Sequence, residues 1–128
     1  MVLKKIGYEL LVDSHEQGYE KAIQNIRENI SEDSQIDESK ILQYLTSASS
    51  ASVILSEPYD IFTNEHLDYC LTNVYTDGVW EWPGILPYYV NKYHYKIVAE
   101  FIEHMEKNDW EAPKLSEADF INLAENLE

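Results

Sequence analysis

The segment 76–93 reads TDGVWEWPGILPYYVNKY and constrains the fold more than any other part of the chain. Its first three residues predict a tight turn, because glycine adopts positive φ at little cost. Alternating, β-prone residues precede the turn in CLTNVY and follow it in VWEW. This arrangement predicts a short β-hairpin near residues 70–82. Pro83 then ends strand pairing, because proline has no N–H to donate.

Apolar residues at helical spacing predict helices on both sides of the hairpin. Ser14 and Asp37 are candidate N-caps for two helices before it, and Ser116, with Asp119 three residues later, for the last helix. Pro87 falls in the first turn of the helix after the hairpin, where a missing N–H is harmless. The apolar stripes consist of Tyr19, Ala22, Ile23, Ile26 and Ile30; Ile41, Leu42 and Leu45; Ile85, Leu86, Tyr89, Val90 and Tyr93; Val98, Phe101, Ile102 and Met105; and Phe120, Leu123, Ala124 and Leu127.

The order of these elements predicts an α+β fold that is predominantly helical, with the hairpin near residues 70–82 packed against helices. The chain has 128 residues and 45% hydrophobic residues, which suits a single domain spanning residues 1–128. No apolar run approaches the ~20 residues of a membrane span, and MVLKKIGYELLVDSHEQ lacks the core of a signal peptide. Cys70 is the only cysteine, so no internal disulfide can form. We therefore expect a cytoplasmic protein.

Two interpretations of the aromatic residues in segment 76–93 remain open. Trp80 and Trp82 point to the same face if they lie in a strand, and Tyr89 and Tyr93 lie one turn apart if they lie in a helix. The favoured interpretation is that these rings pack the hairpin onto the helices. The alternative is that some of them form an exposed binding patch, since aromatic residues with polar groups are enriched at interfaces.

The sequence contains no pattern that identifies a reaction, a cofactor or a metal. Glycine-rich nucleotide-binding motifs are absent, and Cys70 lacks the signature of a nucleophile. Glu100 and His104 share one helix face, with Glu103 nearby, and are candidate metal ligands. His94 is the candidate for a third ligand. We favour a solvated acidic face, because two ligands without a second pair are a weak metal signal. No catalytic, cofactor-binding or metal-binding residue is therefore predicted.

Two segments before the hairpin show no clear helical or strand periodicity. TSASSASVIL, residues 46–55, predicts a loop leading into a short buried strand at Val53–Leu55, with a hydroxyl-rich ligand loop as the alternative. EPYDIFTNEH, residues 57–66, predicts irregular structure.

The chain carries 24 acidic and 9 basic residues, a net charge of −15. Residues 97–128 contain nine acidic and two basic residues, whereas residues 70–96 are neutral overall. Such a field disfavours binding to nucleic acid or anionic membranes, and it attracts a basic protein. The alternative is that the charge serves solubility alone.

The motif T-D-G-x-W-x-W-P, followed by Leu86, Tyr88-Tyr89-Val90 and Tyr93, resembles a family of small uncharacterised bacterial proteins. Members tend to show W-P-x-x-L-x-Y-Y-V-x-x-Y and then a helix similar to E-F-I-E-H, here residues 100–104. Some resemble immunity proteins encoded beside secreted polymorphic toxins. The likeness covers roughly residues 70–105, and the sequence departs from it at Pro87 and Val98.

The resemblance implies a non-catalytic interaction protein, similar to an immunity-type inhibitor that neutralises a toxin by direct binding. Its expected partner is a basic protein, such as a secreted toxin domain. The candidate contact residues are Glu100, Glu103, Glu106, Trp80 and Tyr88. The alternative is a small-molecule-binding or enzymatic domain with an aromatic pocket formed by Trp80, Trp82, Tyr89 and His94.

Overall fold

The structure of the chain is a computed structural model that describes residues 3–11, 17–53, 58–67, 73–119 and 121. The α-helices with defined bounds are Tyr19–Glu28 (α1), Glu38–Ser47 (α2), Ile85–Tyr93 (α3) and Ala99–Lys107 (α4), and Tyr8–Leu11 forms a 3-10 helix. The strands are Lys4–Lys5 (β1), Ser49–Val53 (β2), Asn73–Thr76 (β3) and Trp80–Pro83 (β4). No described helix combines the length and the apolar character that spanning a bilayer requires.

The strands form one mixed sheet in the order β1-β4-β3-β2. β3 and β4 pair antiparallel as the predicted hairpin, with Tyr75 opposite Trp82. β2 pairs antiparallel with β3, and β1 pairs parallel with β4. The fold is therefore α+β as predicted, but the hairpin lies at the centre of a larger sheet and does not stand alone. The sequence did not assign the outer strands, because the pattern of residues 2–12, which include the two-residue β1, fits a short helix or a strand, and β2 is rich in serine.

The turn between β3 and β4 matches the sequence prediction. Gly78 has a φ of 94°, and its N–H donates to Oγ1 of Thr76 at 3.0 Å. Oδ1 of Asp77 accepts the backbone N–H groups of Val79 and Trp80 at 2.8 and 2.7 Å. The side chains of Thr76 and Asp77 thus satisfy the backbone donors of the turn itself.

Aromatic rings join the hairpin to α2 and α4. Trp82 is fully buried, and its Nε1–H donates to the carbonyl oxygen of Leu45 at 3.2 Å. Trp80 stacks on Phe101 of α4 with ring centroids 4.5 Å apart, and Tyr44 of α2 lies 6.2 Å from Trp82. These contacts confirm that Trp82 is buried and that the tryptophans of the hairpin pack against helices.

The helix boundaries follow most of the predicted signals. Pro87 is the third residue of α3 and thus lies in its first turn, and Ser116 and Asp119 exchange capping hydrogen bonds of 2.8 and 3.2 Å. Asp37 does precede α2, but it has a φ of 59° and its side chain makes no capping bond, so the predicted side-chain cap is wrong. Ser14 and the apolar stripe of the last helix lie outside the described residues.

Within the serine-rich segment, Thr46 and Ser47 end α2 and Ser49–Val53 forms β2, so the loop predicted for this part of the segment is wrong. Of the expected strand Val53–Leu55, only the first residue is described, and it is the last residue of β2. Oγ of Ser47 accepts the N–H of Ala112 at 3.1 Å, and Oγ of Ser49 accepts the N–H of Leu115 at 3.3 Å. These two hydroxyls hold the chain after α4 against the start of β2, which gives them a structural role.

Candidate functional site

Three of the residues predicted to contact a partner lie on one side of α4. Glu100, Glu103 and Glu106 are spaced by three residues and are all exposed. Nζ of Lys4 forms an ion pair with Glu100. No residue within the described part of the chain forms an ion pair with Glu103 or Glu106. The outer side of α4 therefore presents carboxylates to solvent, and we call these three glutamates the acidic face.

The two aromatic candidates have different surroundings. Trp80 is 5% exposed, lies between Phe101 and the side chain of Lys4, and offers a partner little surface. The Nζ of Lys4 lies 5.5 Å from the Trp80 ring and also reaches Glu100, so Trp80 lies near the acidic face but inside the core. Tyr88 is half-buried on α3, where its hydroxyl donates to a carboxylate of Asp60.

The histidines considered as metal ligands pair with separate carboxylates. Nε2 of His104 lies 3.1 Å from Oδ2 of Asp77, and Nδ1 of His94 lies 3.0 Å from Oε2 of Glu38. Glu103 is exposed on α4 and joins neither pair. Among the residues that the structure describes, no three His, Cys, Asp or Glu side chains converge as metal ligands.

Asp77 ties the hairpin turn to α2 and α4. Its side chain is fully buried, and Oδ2 accepts the hydroxyl of Tyr44 at 2.6 Å besides lying near His104. The side-chain amide of Asn108 donates to the same tyrosine oxygen at 2.9 Å. Burial raises the pKa of the Tyr44 hydroxyl, and its hydrogen bond to Asp77 raises that pKa further. The tyrosine therefore stays protonated and serves as a fixed donor to the carboxylate.

A second buried carboxylate, Asp60, was not singled out from the sequence. Its side chain is fully buried, and Oδ1 accepts the backbone N–H groups of Phe62 and Thr63 at 2.9 and 3.1 Å. Oδ2 accepts three donors from α3: the hydroxyls of Tyr88 and Tyr93 and the ammonium group of Lys92, at 2.7, 2.6 and 3.1 Å. We call these four side chains, Asp60, Tyr88, Lys92 and Tyr93, the Asp60 cluster.

Hydrogen bonding decides the ionisation of the Asp60 cluster. Burial alone would raise the pKa of Asp60, but the hydroxyls of Tyr93 and Tyr88 and two backbone N–H groups hold it well below its usual range. Burial and the hydrogen bond to Asp60 raise the pKa of Tyr93 to about 12. At neutral pH the carboxylate is therefore charged and the tyrosines are neutral, which is the arrangement that all the hydrogen bonds require.

A pocket of about 510 Å³ lies between α2, β3 and the start of α3. Tyr88 lines it and also donates to Asp60, so the pocket and the Asp60 cluster share one side chain. The described lining contains no charged residue. The lining residues are Leu42, Leu45, Thr46, Tyr75, Gly84, Pro87, Tyr88 and Asn91.

The aromatic pocket expected from the sequence involves other residues, and none of them lines this pocket. Trp80, Trp82 and Tyr89 belong to the buried hydrophobic core, and His94 is engaged with Glu38. Leu45 adjoins both regions, because it lines the pocket and its carbonyl oxygen accepts the hydrogen bond of Trp82.

The sequence held one overlooked signal for the Asp60 cluster. Tyr88, Lys92 and Tyr93 fall within two turns of α3 and present three hydrogen-bond donors to one side of the helix. Half-buried hydroxyls need acceptors, and the acceptor here comes from the segment 57–66 that lacked any pattern. The sequence could not identify this acceptor, because Asp60 lies 28 residues from Tyr88 and only the folded chain brings the two together. Cys70 lies outside the described residues.

The two buried carboxylates, Asp60 and Asp77, accept hydrogen bonds that hold the fold together. Both buried carboxylates have their oxygens occupied by donors from the protein itself. Every buried side-chain nitrogen and oxygen atom in the described part of the chain has a hydrogen-bond partner. The sequence matches no protein-family model, and comparisons with curated proteins and with solved structures found no significant match.

Proposed function

We propose that the protein is a non-catalytic interaction protein, an immunity-type inhibitor that binds a basic toxin domain through the acidic face of α4. The observation that carries this proposal is the exposure of Glu103 and Glu106, which no described residue neutralises. The net charge of −15 also attracts a basic partner to the molecule as a whole. The resemblance of the segment 70–105 to proteins encoded beside secreted toxins supports the choice of partner.

The geometry of α4 favours recognition of a cationic surface. The three glutamates follow one another along about two turns of one helix, and the opposite side of that helix is anchored by the buried residues Phe101 and Met105. The anchored backbone of α4 fixes the spacing of the three glutamates, so it presents their carboxylates as a row that lysine or arginine can meet. Opposite charges at the rim of an interface mainly accelerate encounter, so the acidic face should control the rate of association.

The first experiment is coexpression with the C-terminal domain of a secreted protein encoded beside this chain. Direct binding together with rescue of growth would support the proposal. If a folded inhibitor neither binds nor rescues cells from a domain with confirmed toxicity, that pairing is rejected. A genome without any toxin-like neighbour would remove the main support for an immunity role.

The second experiment isolates the acidic face. Replacing Glu103 and Glu106 with lysine should slow association on the order of tenfold at low salt. Glu20→Lys with Glu28→Lys is the matched control, because it makes the same charge change at exposed positions of α1. Glu100 is left intact because its partner Lys4 contacts Trp80. Near 0.5 M salt, where the Debye length is about 4 Å, the difference should shrink. Equal slowing in both double variants would show that net charge acts without a specific surface.

A further inference from the structure

The pocket between α2, β3 and α3 has the size and walls of a small-molecule site. Its volume of about 510 Å³ lies within the range of roughly 300–1,000 Å³ that is usual for such sites. Leu42 and Leu45 supply aliphatic walls, Tyr75 and Tyr88 supply aromatic ones, and Pro87 adds a rigid ring. We propose that this pocket binds a small neutral molecule that is mainly aromatic or aliphatic. The inference is independent of the proposed toxin binding.

The charge of the pocket selects a neutral ligand. Charged residues make up 26% of the chain, yet the described lining contains none. A charged ligand would give up hydration there without gaining an ionic partner, which is strongly unfavourable. The net charge of −15 opposes anions in addition. The uncharged lining therefore disfavours charged ligands of either sign, and the field of the whole protein disfavours anions further.

Two polar side chains at the mouth would set the orientation of the ligand. Thr46 and Asn91 are exposed and line the pocket from α2 and α3. The hydroxyl of Thr46 donates to the carbonyl oxygen of Leu42 at 2.8 Å, so its oxygen remains available as an acceptor. The amide of Asn91 can donate and accept. A ligand with one polar group at its outer end and an apolar body fits this distribution.

The walls are held in place before any ligand enters. The hydroxyl of Tyr88 is fixed by Asp60, and its ring packs edge-on against Tyr89 with centroids 5.4 Å apart. The backbone of Leu45 is fixed by the hydrogen bond from Trp82. A preformed pocket avoids the entropy cost of ordering side chains on binding. The aromatic and aliphatic walls can therefore contribute fully to affinity.

Two dyes with the same ring skeleton test the proposed ligand class. N-phenyl-1-naphthylamine is neutral, whereas 1-anilinonaphthalene-8-sulfonate carries an added sulfonate. The fluorescence of the neutral dye should increase on titration with the folded protein and saturate with a Kd on the order of 10–100 µM. The sulfonated dye should bind at least about tenfold more weakly. Amide chemical shifts in spectra of the wild-type protein should change at Leu45, Tyr75 and Tyr88 when the neutral dye binds.

Substitutions at the mouth test the location. Thr46→Phe and Asn91→Phe each place a ring over the pocket from an exposed helical position, and each should weaken binding of the neutral dye about tenfold or more. Gln24→Phe adds the same ring at an exposed position of α1 and should leave binding unchanged. Circular dichroism checks that all three variants fold. If one mouth variant does not fold, the other variant and the wild-type chemical shifts still decide the location.

Three results would each overturn the proposal. The first is a titration of the neutral dye that does not saturate. The second is equal affinity for the neutral and the sulfonated dye. The third is binding that survives in the folded mouth variants, or chemical-shift changes that fall outside the lining residues.

Discussion

Two regions share one local motif, a buried aspartate that accepts hydrogen bonds from its own turn: the hairpin of β3 and β4, and the loop at residues 58–67. They differ in the distant side chains that the aspartate contacts. In each, a buried aspartate accepts with Oδ1 the backbone N–H groups two and three residues later: Val79 and Trp80 for Asp77, and Phe62 and Thr63 for Asp60. The position of the residue with positive φ differs: Gly78 at 94° comes directly after Asp77, whereas Asn64 at 62° comes four residues after Asp60.

The two aspartates differ at Oδ2. Asp77 faces a tyrosine and a histidine and joins the hairpin to α2 and α4. Asp60 faces two tyrosines and the ammonium group of Lys92, all on α3. The same turn chemistry thus serves two purposes, and the distant partners determine how much each carboxylate contributes to stability. The loop depends on a charged acceptor, whereas the hairpin also has the aromatic core.

Trp82→Ala removes the buried indole that packs the hairpin against the helices, and it should have the largest effect on stability. Removing a fully buried indole leaves a cavity and should lower the free energy of unfolding by about 3–5 kcal/mol. Urea unfolding followed by circular dichroism measures the change. Trp110→Ala is the control, because that side chain is only partly buried and should cost less than half as much. Equal losses in the two variants would contradict the central role of Trp82.

Exchange of each aspartate for asparagine compares the two carboxylates directly. In Asp60→Asn, an amide group replaces an oxygen that accepts Lys92, and the loss should be about 2–3 kcal/mol. In Asp77→Asn, the amide oxygen can keep both backbone bonds, but the amide nitrogen cannot accept from Tyr44 or face His104 as the carboxylate does. No described lysine pairs with Asp77 as Lys92 pairs with Asp60, so the loss should be smaller, about 1–2 kcal/mol. Denaturant midpoints of the two variants test this order. A larger loss of unfolding free energy in Asp77→Asn than in Asp60→Asn would contradict the prediction that the carboxylate of Asp60 contributes more to stability.

Gly78→Val tests the turn that the sequence predicted. A β-branched residue is strained at a φ of 94°, so the free energy of unfolding should fall by about 1–3 kcal/mol. The added Cβ would meet Cδ2 of Leu115 at 3.5 Å, an ordinary contact, so strain and not collision is the expected cause. Gly78→Asn should be milder, since asparagine tolerates positive φ. Identical effects of valine and asparagine would count against backbone strain.

The pH dependence of the Asp60 cluster should give the smallest effect. The folded pKa of Asp60 lies below its ordinary value near 3.9, so the unfolded chain binds a proton first as the pH falls. The stabilising contribution of Asp60 is therefore complete above about pH 5 and is lost as the pH drops below about 4. The difference in unfolding free energy between wild type and Asp60→Asn should shrink between about pH 5 and pH 3. A constant difference would contradict the assigned ionisation.

The sequence predicted the structure where the relevant contacts are local. The turn at Gly78, the strands beside it and the place of Pro87 in α3 depend on residues a few positions apart, and all three were predicted correctly. The outer strands depend on pairing with a neighbouring strand, so the sequence did not assign them. β1 has only two residues and pairs with β4, and β2 pairs with β3 although its serines suit a loop.

The candidate sites divide in the same way. The exposure of Glu103 and Glu106 follows from helical spacing, so it could be expected from the sequence. The Asp60 cluster and the pocket could not, because each requires the relative positions of two elements. Asp60 meets Tyr93 across 33 residues, and Leu42 and Tyr88 face the same cavity from different helices. The sequence predicted irregular structure at residues 57–66 but not the turn at Asn64, since a turn without glycine leaves a weaker signal.

The position of β1 has a consequence for aggregation. β1 is an outer strand of the sheet, and an open edge with unpaired N–H and C=O groups can recruit a strand from another molecule. Both residues of this strand are exposed lysines, and the strand is only two residues long. Shortness and positive charge both disfavour such recruitment, because a second copy would place its own lysines alongside Lys4 and Lys5. Beyond their ion pairs with Glu100 and Glu81, these lysines thus disfavour the addition of further strands at the β1 edge of the sheet.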